Sequence, residues 1–315
     1  MPTPPAALTA LYAWARKGRN GDANVSKSAV VVKFSAVSVE VVHWNPSKPV
    51  LPGALGRLSA SWTRPVNNFG DLLGPILVDR LLEHFGLNTG ESSTSARLVA
   101  VGSIMKLTRP NDVVWGAGIN GKSMSVGAGR HLDVRAVRGP LTRDLLLSAG
   151  AAVPQVYGDP ALLWSKFWPR DFYTGGPTSE LSPYAVVPNF HDWAAWRREK
   201  HAINPRQQPH HVIRQIARSE FVCGSSLHGV IIAESFGIPA RLIVSSTEPE
   251  FKYSDYYRGT GRPTFKPARS LDEALEMGGE PSPEWDDWSL LKAFPIDLWQ
   301  GPFAARNWQD TTYGR

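Results

Sequence analysis

The chain has 315 residues, 42% hydrophobic and 20% charged, a balance that belongs to a globular protein and excludes wholesale disorder or a collagen-like repeat. No uncharged apolar run reaches the roughly 18 residues of a membrane span, because Lys33 and Glu40 break the valine-rich stretch near the start and Glu234 and Arg241 break the later one. Lys and Arg total 34 against 28 Asp and Glu, a net charge of +6 that favours anionic substrates or membrane surfaces and lacks the basic block that nucleic acid would call for.

In chain order, residues 1–28 set Pro2, Pro4 and Pro5 ahead of a short apolar patch and Arg16, Lys17 and Arg19 behind it, the reverse of a secretory signal's charge order; they read as a mobile arm. Residues 37–44 (VSVEVVHW) read as a strand. A Pro/Gly-rich connection runs to Pro65, and Asn68, Phe69, Gly70 and Asp71 lead into a helix over 72–85. That helix has Leu73, Ile76, Leu77, Leu81 and Leu82 near one face and Gly86 as its stop. Strands over 98–101, 113–115 and 134–137, a helix over 140–149 with proline in its first turn, and a strand over 155–157 ending at Gly158-Asp159-Pro160 complete a first unit, 29–166. Pro169, Gly175, Gly176 and Pro177 mark 167–183 as a linker.

The pattern then restarts: strand 184–187, helices 192–199 and 209–218, strand 221–223, helix 226–236 and strand 241–244, within a unit spanning 184–280. Two successive β/α units predict two doubly wound, Rossmann-like α/β domains facing one another across a cleft. Residues 281–315 carry Trp285, Trp288, Trp299 and Trp308. The spacing of Trp285, Trp288 and Leu291 suits a short helix, so this tail is expected to dock on the body. The chain's 12 tryptophans fit core packing, or stacking on sugar rings.

Cys223 is the single cysteine. It permits no internal disulfide and no cysteine zinc site, and points to a reducing, cytoplasmic setting. Cys223-Gly224-Ser225-Ser226-Leu227-His228-Gly229 leaves a strand and starts a helix, which gathers free N–H groups and the positive helix end into an anion seat. Ser225 is placed to cap the helix, Ser226 to donate to a phosphate oxygen, and His228 to exchange a proton in the first turn; a purely structural turn is the competing reading. Asp71 is either a helix cap or a contact to an acceptor hydroxyl. Asp159 and His191, just past strand ends, serve either turn chemistry or the site. Arg138 is expected to point from its strand end into the cleft, ready for a carboxylate or phosphate. The Gly116-Ala117-Gly118-Ile119-Asn120-Gly121 tract matches a dinucleotide fingerprint but is followed by no helical pattern, so it reads as a glycine-lined cleft loop. No Asp-x-Asp pair or spaced histidine set supports a metal.

The order Asn68-Phe69-Gly70-Asp71, Val114-Trp115-Gly116-Ala117-Gly118, Arg138-Gly139-Pro140-Leu141-Thr142-Arg143, Gly158-Asp159-Pro160-Ala161, Ser225-Ser226-Leu227-His228-Gly229 and Phe251-Lys252-Tyr253-Ser254-Asp255-Tyr256-Tyr257 resembles the polysaccharide pyruvyl transferase family. The resemblance implies the glycosyltransferase B arrangement, with phosphoenolpyruvate as donor and a hydroxyl pair of a glycan or lipid-linked sugar as acceptor. It assigns the donor to Leu227, His228 and Arg138. With the residue reading, donor contacts are expected at Arg138, Ser225, Ser226, Leu227 and His228, acceptor contacts at Asn68, Gly70 and Asp71, and proton transfer at His228, His191 and Asp159. No metal, nucleotide, redox cofactor or nucleic acid is expected, and peripheral attraction to anionic lipid is. A nucleotide-sugar glycosyltransferase on the same frame and a basic carbohydrate-binding module are the alternatives.

Overall fold

Two parallel sheets carry the fold. The computed structural model describes residues 38–49, 63–87, 95–176 and 180–300; the expected arm, the middle of the proline-rich connection and the Trp308 end of the tail lie outside the described residues. The first sheet has the order β1 (Val39–Val42), β4 (Ala96–Val99), β5 (Val113–Trp115), β6 (Asp133–Ala136), every neighbour parallel. The second has the order β7 (Ala185–Val186), β8 (Val222–Gly224), β9 (Ala240–Leu242), again parallel. An antiparallel ribbon of β2 (Ser47–Pro49) and β3 (Thr63–Pro65), absent from the sequence reading, brackets the proline-rich connection. The described residues fall within one compact unit.

Parallel sheets need cover on both faces, and the helices supply it. Helix α1 (Leu73–His84) turns Leu73, Leu77, Val78, Leu81 and Leu82 inward, all at 0% exposure, and each buried leucine is worth about 1.5–3 kcal/mol. They join one continuous apolar cluster with Phe69, Trp115 and Trp164. Val222, Val230 and Ile231 of the second half belong to the same cluster, so one core backs both sheets. Helix α2 (Pro140–Ser148) covers the other face of the first sheet through Leu146. Helices α3 (Pro209–Ala217) and α4 (Leu227–Ser235) follow β7 and β8. Helix α4 is largely apolar, as a mostly buried helix must be, with Val230, Ile231, Ile232 and Ala233 inside. Helices α5 (Phe251–Gly259), α6 (Leu271–Met277) and α7 (Asp287–Lys292) follow β9, and a single turn, Asp297–Gln300, ends the described residues. Among the described residues no helix is long and apolar enough to cross a membrane.

Three expectations need correction. The strand over 155–157 reduces to a single parallel bridge, Val137 to Tyr157, because Gly158 and Pro160 end the extended run at once. The helix over 192–199 is one turn, Trp193–Trp196. The stretch expected as a plain linker, 167–183, contains the short helix Arg170–Thr174 and begins at the last residue of another, Trp164–Phe167. It is pinned to the second half by Arg170, which donates to the carbonyls of Ala217 (2.7 Å) and Ser219 (2.8 Å).

The tail packs on the first sheet. The Trp115 indole donates to the Leu290 carbonyl at 2.8 Å. Phe294, 3% exposed, sits edge-on to Trp115 and stacks on Trp299 and Phe85. Phe294→Ala should therefore cost about 3–5 kcal/mol, the usual price of emptying a buried aromatic site, measured as a fall in the denaturant midpoint with an unchanged slope.

Candidate functional site

The carboxyl ends of both sheets open onto a cleft of about 220 Å³. Its lining includes Trp44, Asn68 and Asp71 from the first half and Asn189, Phe190, His191, Ser226, Leu227 and His228 from the second. The glycine-rich tract runs along it as a loop and contributes Asn120, and Lys122 directly after the tract lines the cleft as well. After that tract the chain forms no α-helix before β6, so the dinucleotide fingerprint is structurally incomplete.

The serine turn differs in detail from its sequence reading. Ser226, not Ser225, is the helix cap: its hydroxyl accepts the Gly229 N–H at 3.2 Å. Ser225 is 1% exposed and faces away from the cleft, donating to Asp192 at 2.6 Å and accepting the Asn189 N–H at 3.0 Å. Burial works against the Asp192 charge, but hydroxyls of Ser225, Ser245, Ser246 and Thr247 converge on its carboxylate and hold its pKa below the ordinary value. Asp192 thereby binds the loop after β9 to the serine turn.

His228 stands in the first turn of α4, its side chain 12% exposed. Its Nε2 lies 3.6 Å from Asp159 Oδ2. Both atoms are buried and neither has a hydrogen-bond partner among the described residues. The other Asp159 oxygen accepts the Ala161 N–H at 3.0 Å, so the carboxylate is fixed with one face turned to the imidazole. Gly70 lies against the opposite side of the ring: a Cβ there would sit 2.3 Å from His228 Nδ1. Its expected acceptor contact is thus replaced by a packing role, since only glycine leaves room for the histidine. Asn68 and Asp71 do line the cleft, and Asn68 Nδ2 donates to Asp71 Oδ2 at 2.8 Å. Burial pushes the Asp71 carboxyl above its ordinary 3.8, against the opposing pull of Asn68, His228 and Lys252.

Arg138 is the main correction. It was expected to reach the cleft, yet it is 0% exposed. Its guanidinium pairs with Asp255 at 3.0–3.1 Å and donates to Ser103 Oγ and the Ile119 carbonyl, both at 2.6 Å. Asp255 also takes the backbone N–H (2.9 Å) and hydroxyl (2.7 Å) of Thr142, so a carboxylate from α5 caps the start of α2.

The cleft also has a cationic wall that none of the residues singled out from sequence foretold. Lys106, Lys122 and Lys252 line the cleft together with Glu248. Glu248 accepts from Lys252 at 2.7 Å and from Lys122. Burial pushes the Lys252 ammonium below its ordinary pKa while Glu248 supports it. Burial likewise opposes the Glu248 charge, but the two lysines hold its pKa down. A signal for Lys252 was present: it shares helical spacing with Asp255, Tyr256 and Gly259, which puts charged residues on a buried face.

Residues 57–247 match the profile of a family described as polysaccharide pyruvyl transferase. The chain belongs to this family. Family membership identifies it as a pyruvyl transferase of polysaccharide biosynthesis, with a glycan as acceptor. It is 28% identical over 251 residues to "Succinoglycan biosynthesis protein ExoV" of Rhizobium meliloti (strain 1021), covering 71% of this chain and 75% of that protein. The solved structure of "a functional uncharacterized protein KP1_0663" from Klebsiella pneumoniae subsp. pneumoniae NTUH-K2044 aligns with a TM-score of 0.41 and 11% identity, over 70% of this chain and 87% of that one. In this pyruvyl transferase the cleft gathers Asn68, Asp71, His191, Ser226, Leu227 and His228, with Asp159 buried directly behind His228.

Two variants check this geometry. Arg138→Met should cost about 3–5 kcal/mol, because it leaves the Asp255 charge buried without its partner; chemical denaturation reads it. Asp71→Asn should act oppositely. A folded-state pKa above 3.8 means that stability is fully present below that value and is lost as pH rises through the folded pKa. Removing the charge should therefore raise Tm at neutral pH, with little change at pH 3.

Proposed function

We propose that the protein transfers the pyruvyl group of phosphoenolpyruvate onto two hydroxyls of one sugar in a polysaccharide or its lipid-linked precursor, closing a cyclic ketal. The observation that carries this reading is the unpartnered His228–Asp159 pair at the start of α4, in a cleft that also holds three lysines. An enol phosphate needs an acid at its methylene carbon and an electropositive seat for its anions.

In the proposed reaction His228 gives its proton to the methylene carbon, which leaves a methyl group and an oxocarbenium-like carbon beside the carboxylate. One sugar hydroxyl attacks that carbon, phosphate departs, and the second hydroxyl closes the ring. Two hydroxyl protons are released; one replaces the proton spent on carbon and the other leaves with phosphate. Asp159 orients the imidazole through the ring nitrogen that faces it. Asn68 and Asp71, across the cleft, take the acceptor hydroxyls, and exposed His191 stands at the mouth as a second proton acceptor. Trp44 and Phe190, ring centroids 5.6 Å apart on opposite halves, offer the acceptor sugar an apolar face.

On this reading the two sheets are the halves of a glycosyltransferase B arrangement, acceptor side first and donor side second. The work takes place in the cytoplasm on a precursor near the membrane, where a net charge of +6 favours anionic lipid. The test is ligand choice followed by turnover. Phosphoenolpyruvate, and not a nucleotide sugar, should raise Tm. His228→Gln should lower kcat by about 10²–10⁴-fold with a smaller effect on donor binding. Stabilisation by a nucleotide sugar alone, or near-normal turnover of His228→Gln, would reject the reading.

A further inference from the structure

Lys252 is an unusual residue to bury. Its side chain is 8% exposed, with its ammonium over the Tyr253 ring at 4.9 Å. Packing alone would be served by an apolar residue, because an ammonium is costly to remove from water. The Arg138 and Lys122 charges add to that cost, and Glu248 offsets it. Glu248 is itself shared, its two oxygens taken separately by Lys122 and Lys252. On the cleft wall Lys122 and Lys252 stand against two carboxylates, Glu248 and Asp71, and Lys106 supplies the surplus positive charge. The N-terminal turn of α4 opens onto the same cleft.

We infer that Lys252 and Lys122 are the phosphate-binding pair of this cleft and that Glu248 holds them together until the phosphate takes its place. The inference rests on the proposed donor and assigns its phosphate to residues other than Arg138, whose guanidinium is committed to Asp255, Ser103 and Ile119. A phosphate monoester carries roughly two negative charges near neutrality and suits two ammonium groups better than one carboxylate does. Lys122 is 40% exposed, and Glu248, its side chain 7% exposed, follows β9 in a loop outside the apolar core clusters, so the two can part without disturbing the core. Lys252, fixed on α5, is the stationary member. The arrangement also orients the donor: phosphate toward the lysines leaves the enol carbon toward His228, which lines the same cleft.

Calorimetric titration of the full chain with phosphoenolpyruvate, and separately with inorganic phosphate, tests this. Lys252→Met and Lys122→Met should each weaken phosphoenolpyruvate binding about ten-fold or more, the effect of losing a hydrogen bond to a charged group. Both should raise KM more than they lower kcat. Glu248→Gln should tighten binding by a few-fold, a gain that a purely structural ion network would not give. Unchanged affinity in both lysine variants, with wild-type binding intact, overturns the pair and leaves the donor reading standing. Lysine-dependent binding of inorganic phosphate without binding of phosphoenolpyruvate keeps the pair and overturns the donor reading. Binding of neither ligand overturns both. If Lys252→Met does not fold, Lys122→Met, on the half-exposed loop, decides alone.

Discussion

The buried contact between Arg138 and Asp255 is the constraint on which the cleft depends. Arg138 leaves the end of the first sheet, Asp255 comes from α5 beyond the second, and the pair is wholly excluded from solvent. Two charges removed from water are a net gain only where every remaining donor and acceptor is matched. Here the guanidinium also serves Ser103 and Ile119, and the carboxylate also serves Thr142. Gly139 makes the approach feasible, since a Cβ there would lie 1.8 Å from the Asp255 carbonyl oxygen. The outcome is positional. Ser103 and the 119–122 loop are tied to the same helix that carries Lys252, and Tyr253 of that helix donates to the Ser225 carbonyl at 2.8 Å.

Around this tie the cleft is held out of electrostatic balance. Asp71 is buried with its pKa raised, Lys252 is buried with its pKa lowered, and Asp159 and His228 face one another without a hydrogen bond. Each is a cost that folding alone does not require, and such costs concentrate where charge must be met or moved. The surrounding core absorbs them: α1, α4 and the aromatic tail contribute fully buried apolar side chains to one cluster spanning both sheets.

The periodic part of the fold was legible in the sequence. The leucine spacing of α1 and the apolar run of α4 depend on contacts that any correct fold must satisfy, and both helices form within a residue or two of their expected bounds. The position of His228 was legible too, because a strand, a glycine-serine turn and a helix leave the residue after the cap little freedom. The direction of Arg138 was not. A side chain at a strand end has two sides available, and the choice was made by Asp255, 117 residues away. The exchange of roles between Ser225 and Ser226 has a similar origin: either hydroxyl could cap α4, and the deciding group was Asp192, 33 residues upstream.

The motifs gain meaning when read as pairs. Arg138-Gly139-Pro140-Leu141-Thr142 and the Asp255 segment are two halves of one contact, with Arg138 and Thr142 on one carboxylate and Gly139 the space between them. Asn68-Phe69-Gly70-Asp71 and Ser226-Leu227-His228 form another, with Gly70 shaped to the His228 ring and Asp71 within its electrostatic reach. In each pair one member belongs to the first half of the chain and the other to the second. Such residues cannot be exchanged singly, because each is fitted to a surface presented by the other half. The cleft is thus specified twice, once by Arg138 and Asp255 beneath it and once by Gly70 and His228 at its wall, and a shift between the halves would disturb both contacts together.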